Sequence, residues 1–254
     1  MSEAMIQVRG ACKTYRRGGE ELRVLDHLDL EMEPGRFYAL MGPSGSGKTT
    51  LLNLVGGLDS ADEGEVIVAG EELARLSGGE LAQWRADHVG FVFQGFNLIP
   101  VLTALENVAL PLSLAPVSRS ERRERAAYAL ELVGMADRSG HRPKQLSGGQ
   151  EQRVAIARAI VTDPDVILAD EPTGDLDRAS ADQVLELVGR LNAEFQKTVL
   201  MVTHDPPAGS PRCAPAVPCR GAPPARRRPP RWSRGRPCCD SSSATCSNTR
   251  CARL

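Results

Sequence analysis

The sequence predicts an α/β fold, a mostly parallel sheet flanked by helices. Three observations point to it. Phe37 to Val55 reads as an apolar strand, a glycine-rich loop and a helix in immediate succession. Short apolar runs then alternate with helical patterns as far as Val202. Polar residues stand at the carboxyl ends of those runs, where open α/β sheets gather ligands.

Residues 5–40 are expected to form short β elements joined by turns. Ile6-Gln7-Val8 and Leu28-Asp29-Leu30-Glu31-Met32 alternate apolar and polar, while Arg17-Gly18-Gly19 and Pro34-Gly35 are turn signals. Tyr15 falls in the first expected turn region. An exposed aromatic there suits stacking on a base as well as ordinary packing.

The loop reads Gly42-Pro43-Ser44-Gly45-Ser46-Gly47-Lys48-Thr49-Thr50. Its spacing is G-x-x-x-x-G-K-[ST], set between strand and helix as a phosphate-binding loop requires. Glycines let successive N–H groups curl around an anion. The helix N-terminus adds free N–H groups and a favourable dipole. Lys48 is suited to reach outer phosphates and the Thr49 hydroxyl to ligate Mg²⁺.

The following helix is expected over 47–58, ending at Gly56-Gly57. Val66-Ile67-Val68 reads as a strand, and Leu73 to Trp84 as a helix interrupted by Ser77-Gly78-Gly79. Leu76-Ser77-Gly78-Gly79-Glu80 is read as a loop. Val89 to Phe93 is a second apolar strand, which carries Gln94 into a loop at its end. Leu102 to Leu112 reads as a helix broken by Pro111.

Ser118 to Val133 is a helix with a capping box at Ser118 and Glu121 and a stop at Gly134. Its first turns alternate Arg with Glu, a solvated face rather than a nucleic-acid patch. Leu146-Ser147-Gly148-Gly149-Gln150 holds another capping box, so a helix is expected from Ser147 to about Ile160. Its uncovered N-terminus is a second place that attracts an anion.

Val166 to Ala169 is an apolar strand that delivers Asp170 and Glu171 to its carboxyl end. Asp170 is suited to hold Mg²⁺, and Glu171 to polarise an attacking water. A turn over 172–177 leads to a helix over 181–195, with Val184, Leu187, Val188 and Leu191 on its buried side. Thr198 to Val202 is the last strand and ends in Thr203-His204-Asp205. One face should then collect Lys48, Asp170, Glu171 and His204.

The 254 residues carry a net charge of −1, unevenly spread. From Pro206 to Leu254 there are ten Arg, one acid, ten of the 18 prolines and six of the seven cysteines. The body is accordingly acidic, and the break in composition marks a boundary between 1–205 and 206–254. The basic segment shows no periodicity and is expected to be disordered, the product of a frameshift or a divergent end; a basic tail that touches anionic lipid or nucleic acid is the alternative. Met1 to Gly10 lacks the apolar core of a secretory signal, and no run approaches the roughly 20 residues of a membrane span. With Cys12 as its one cysteine, the body reads as a cytosolic domain.

The order phosphate loop, Gln94, LSGGQ, VILADEP, GDLD and His204 resembles the nucleotide-binding subunit of an ABC transporter over roughly 4–205. The wording from Phe91 to Val108 resembles the subfamily serving lipoprotein release and macrolide or peptide export. The resemblance implies a P-loop NTPase core with an N-terminal antiparallel β subdomain and a helical signature subdomain at about 95–160. It implies that Tyr15 stacks on adenine and that Gln94 contacts Mg²⁺ and water. Ser147, Gly148, Gly149 and Gln150 would touch the γ-phosphate of ATP held by a second subunit. Asp177 would close across the dimer, and His204 would act as the switch histidine. The implied cofactors are ATP and Mg²⁺. The implied partners are a second ATP-binding subunit, as a homodimer, and an integral membrane permease, with no nucleic acid. The implied location is peripheral, on the cytoplasmic face of the inner membrane. A regulatory ATPase of a cell-division or cell-envelope complex shares these motifs. A chromosome or DNA-repair ATPase would need a long coiled-coil insertion between loop and signature, and 48–147 shows no sustained heptads. An inactive fragment is a further alternative that the unusual end raises.

Overall fold

The computed structural model describes residues 4–203. The segment 206–254, its expected disorder and His204 lie outside the described residues.

Two four-stranded sheets form the frame. β1 (Ile6–Arg17) and β2 (Glu20–Met32) make an antiparallel hairpin, with Arg17 opposite Glu20. Gly18 and Gly19 close it with φ of 60° and 90°, the left-handed pair of a tight hairpin turn. The expected short elements are therefore two long strands of 12 and 13 residues, and Tyr15 sits within β1 rather than in a turn. β-Bulges between Val8 and Thr14 absorb the breaks in alternation that suggested separate pieces. β4 (Glu63–Val68) and β5 (Glu71–Glu72) complete this sheet in the order β2-β1-β4-β5.

The second sheet is wholly parallel, in the order β3-β8-β7-β6, from β3 (Phe37–Met41), β6 (Val89–Phe93), β7 (Val166–Asp170) and β8 (Thr198–Thr203). A parallel sheet covered on both faces favours apolar residues along its strands, which explains the unbroken runs at 166–169 and 199–202. Ile167, Ala169, Val199 and Met201 face one core, packed by helices α3 (Ala104–Ala109), α4 (Arg119–Leu132), α5 (Gly148–Ile160) and α6 (Arg178–Phe195). Val166, Leu168, Leu200 and Val202 face the other, shared with α1 (Lys48–Val55), the antiparallel sheet and Trp84 of α2 (Gly78–His88).

Several boundaries differ from expectation. The motif Leu76 to Glu80 is not a loop: Ser77 caps α2, accepting from Glu80 N while Glu80 Oε2 accepts from Ser77 N. A capping box overrode the two glycines, whose cost is small in a first helical turn. The stretch 102–112 holds only the short α3, followed by a 3₁₀ turn at Pro111–Leu114. Helix α6 begins earlier than expected because Asp177 caps it, accepting from Ser180 N at 3.0 Å. Ser118 caps α4 as expected, but Glu121 turns its carboxylate to Arg125 instead of closing the box. Among the described residues no helix is long and apolar enough to cross a membrane.

Candidate functional site

The glycine-rich loop joins β3 to α1. Gly47 occupies the helix N-cap with φ 84°, and a Cβ there would lie 2.9 Å from Leu25 Cδ2 and 3.0 Å from the Val24 carbonyl. Conformation and space both demand glycine. No side chain caps α1 and its first turn holds no acid, so its N–H groups face the loop without a protein anion. Lys48 Nζ curls back over the loop, donating to the carbonyls of Gly42 at 2.7 Å and Pro43 at 2.8 Å and to Ser46 Oγ at 3.3 Å. Ser44, Gly45 and Ser46 are exposed around it. The loop is thus already folded around one cationic head, with open space beside Gly45.

Strand β8 lies between β3 and β7, yet the two ends meet. Thr49 Oγ1 donates to Asp170 Oδ1 at 3.2 Å. Two hard oxygen donors side by side are the donor set that Mg²⁺ prefers, so these residues fit the ion. Glu171 follows with φ 47°, a left-handed conformation uncommon outside glycine. Its N–H donates to the Val202 carbonyl at 2.9 Å, which ties the turn to β8.

Gln94, at the end of β6, donates from Nε2 to Asp175 Oδ1 at 2.9 Å. Gly174 permits this approach, since a Cβ there would come within 2.9 Å of Gln94 Nε2. The loop beyond is braced by Arg158 of α5, which donates to the carbonyls of Phe96 and Asn97.

Ser147 and Gln150 form the expected capping box at the start of α5, at 3.0 and 3.4 Å. The nearest neighbours of Gly148 are Leu176 and Phe96, and a Cβ on Gly149 would stand 2.8 Å from Ser180 Oγ. None of these belongs to the phosphate loop. The structure therefore gathers Lys48, Thr49, Asp170 and Glu171 around β3, β7 and β8, and sets Ser147 to Gln150 against the start of α6.

Tyr15 is 37% exposed, and its hydroxyl donates to Asp59 Oδ2 at 2.8 Å. The Lys13 ammonium stands 5.3 Å from the ring centre and 2.8 Å from Asp59 Oδ1. Burial alone would raise the Asp59 carboxyl, but bonds from Lys13, Tyr15 and Ser60 N outweigh it and hold it below its ordinary value.

A family model described as ABC transporter matches residues 25–174, a span that takes in the loop, Gln94, the Ser147 helix start and the end of β7. The chain belongs to the ABC transporter family. It is 49% identical over 205 residues to the ABC transporter ATP-binding protein MJ0796 of Methanocaldococcus jannaschii, with 79% of this chain and 87% of that protein covered. It is 47% identical to the lipoprotein-releasing system ATP-binding protein LolD of Chromohalobacter salexigens, covering 81% and 86%. It is 51% identical to the macrolide export ATP-binding/permease protein MacB of Rhodopseudomonas palustris, where 81% of the chain spans 31% of that protein. A solved dimer of the ATP-binding cassette MJ0796, in a post-hydrolysis state bound to ADP and Pi, superposes with a TM-score of 0.73 at 47% identity, covering 79% and 88%. This ABC transporter chain is an ATPase with an ATP-binding P-loop core.

Five structural partners of the ABC site were not legible from its motifs. Asp175 holds Gln94, Ser180 abuts Gly149, and Asp59 with Lys13 positions Tyr15. The fifth, Gln152, is fully buried and donates to the Pro172 carbonyl at 2.7 Å, linking α5 to the turn after Glu171. Its signal was a polar residue on an otherwise apolar helix face.

Proposed function

We propose that the chain energises a membrane permease that exports or extracts a lipoprotein, macrolide or peptide-like substrate. The contact of Thr49 with Asp170 beside the loop is the observation that carries the ATPase geometry. The names of the LolD and MacB relatives support the class of cargo. The chain works at the cytoplasmic face of the inner membrane, as a homodimer bound to the permease.

Each residue has a task. Backbone N–H groups from Gly42 to Lys48 cradle the phosphates, and Lys48 releases its loop carbonyls to neutralise the outer ones. Thr49 Oγ1, Asp170 and Gln94 would hold Mg²⁺, which when bound would supply positive charge to offset that developing on the phosphoryl oxygens. Tyr15 stacks on the adenine. Glu171 orients and polarises the attacking water, and His204 acts as the switch histidine. Ser147, Gly148, Gly149 and Gln150 sit away from their own loop, so they complete the site of a second copy. Closure of the pair assembles the catalytic constellation and excludes water.

The test is Glu171→Gln. It should retain ATP binding, lose hydrolysis by about 100-fold or more, and run as a dimer in ATP on gel filtration. Turnover equal to the parent chain would remove Glu171 from this role.

A further inference from the structure

In the middle of the antiparallel hairpin, β1 and β2 bring Cys12, Asp26 and His27 together. One donor atom from each lies within 4.8 Å of the others. Cys12 Sγ is 3.5 Å from His27 Nδ1, while Asp26 Oδ1 approaches the other ring nitrogen, Nε2, at 3.9 Å, so an ion on Sγ and Nδ1 would take the exposed Asp26 carboxylate after a turn of its side chain. A tetrahedral zinc, with bonds of about 2.3 Å to sulfur and about 2.0 Å to nitrogen, sets those two atoms about 3.5 Å apart. The sulfur and the imidazole are already spaced as ligands of one ion.

The backbone N–H of His27 donates to Cys12 Sγ at 3.3 Å, and so does Arg23 Nη2 at 3.3 Å, while the sulfur itself lies 3.8 Å from the Gly10 carbonyl. Such neighbours orient a ligand sulfur. Arg23 Nη1 meets Asp26 Oδ1 at 3.1 Å, so a single guanidinium bridges sulfur and carboxylate. A cation therefore already stands between two of the three groups. Arg23 is half exposed on a long stem and can withdraw to solvent when an ion replaces it. His27 is held at φ 46°, a left-handed conformation uncommon for a side chain of its size. That bulge turns both its N–H and its ring toward Cys12.

We propose that Cys12, His27 and Asp26 form a binding site for a thiophilic divalent cation of the zinc class, with water as the fourth ligand. Sulfur, nitrogen and a single carboxylate select zinc over Mg²⁺ or Ca²⁺, which take oxygen.

The test uses the full chain with its six cysteines between residues 206 and 254 replaced by serine, which leaves Cys12 as the only thiol. Titration with Co²⁺ should give a thiolate-to-metal charge-transfer band and the visible bands of a four-coordinate ion, both removed by equimolar Zn²⁺. Cys12→Ser should abolish the charge-transfer band. His27→Gln, an exposed position that leaves the fold intact, should weaken Co²⁺ binding at least tenfold, and Asp26→Asn should weaken it severalfold. Absence of the band in folded protein would overturn the site. So would a band whose affinity is unchanged in His27→Gln, since it would report a lone thiol.

Discussion

Thr49 and Asp170 are 121 positions apart in the chain, and Thr49 Oγ1 donates to Asp170 Oδ1 at 3.2 Å. The bond spans the gap that β8 creates between β3 and β7. It joins the two oxygen donors suited to the metal. Asp170→Asn keeps the shape and removes the charge. We expect ATP hydrolysis to fall by about 100-fold, with partial recovery as Mg²⁺ is raised. Steady-state rates across a Mg²⁺ series check this.

Tyr15 offers a ring and a hydroxyl with separate jobs. The hydroxyl is bonded to Asp59, while the ring presents a partly exposed face. Tyr15→Ala should weaken ATP binding by about 5- to 150-fold, the range of one base stacked on an aromatic. Tyr15→Phe should stay within about threefold of the parent, since the ring remains. Competition against a fluorescent ATP analogue distinguishes the two. Equal losses would make the hydroxyl, not the ring, the contributor.

Asp59 gives a pH signature with a definite sign. Its carboxyl is held below its ordinary value in the folded chain. The stability it contributes is therefore present above the unfolded value of about 3.9 and lost as pH falls through the folded one. Lys13 behaves oppositely. Burial would lower its ammonium, but Asp59 and Asp62 outweigh burial and raise it. Its contribution is present below about 10.4 and lost as pH climbs through the raised value. Asp59→Asn should lower urea stability at neutral pH and flatten its decline below pH 4. It should also bring the alkaline decline of Lys13 to lower pH. Urea midpoints across pH read all three effects.

Gly90 is where β6 meets α5. A Cβ there would lie 2.2 Å from the Ala159 carbonyl oxygen and 3.1 Å from Pro164 Cγ. Both neighbours belong to rigid backbone or ring, so neither yields cheaply. Gly90→Ala should destabilise the chain by about 1–3 kcal/mol or more. Denaturant unfolding measures it, and a loss below about 0.5 kcal/mol would mean that helix and strand separate easily at this point.

Local rules in the sequence were enough for much of the site. The spacing of Gly42, Gly47, Lys48 and Thr49 specifies a loop because glycine conformation and a helix start are set within a few residues. The box at Ser147 and Gln150 specifies the start of α5 for the same reason. The same logic applied to Ser77 and Glu80, where weight given to glycines obscured a cap that the structure forms in full. The apolar stripe of α6 was likewise legible, because a periodicity of 3.6 residues marks the buried face whatever covers it.

The tertiary structure decided who meets whom. It placed β8 between β3 and β7, turned Gln94 onto Asp175, stood Tyr15 on Asp59 and set Gly149 against Ser180. It also lengthened the first two strands through bulges that simple alternation does not encode. Sequence pattern reports the conformation of a short stretch and the face it buries. The distant partners of a side chain depend on strand order and register, set by packing the whole sheet at once. So the chain declared its chemistry in its motifs, while the pairing of Thr49 with Asp170 and of Cys12 with His27 came only from the fold.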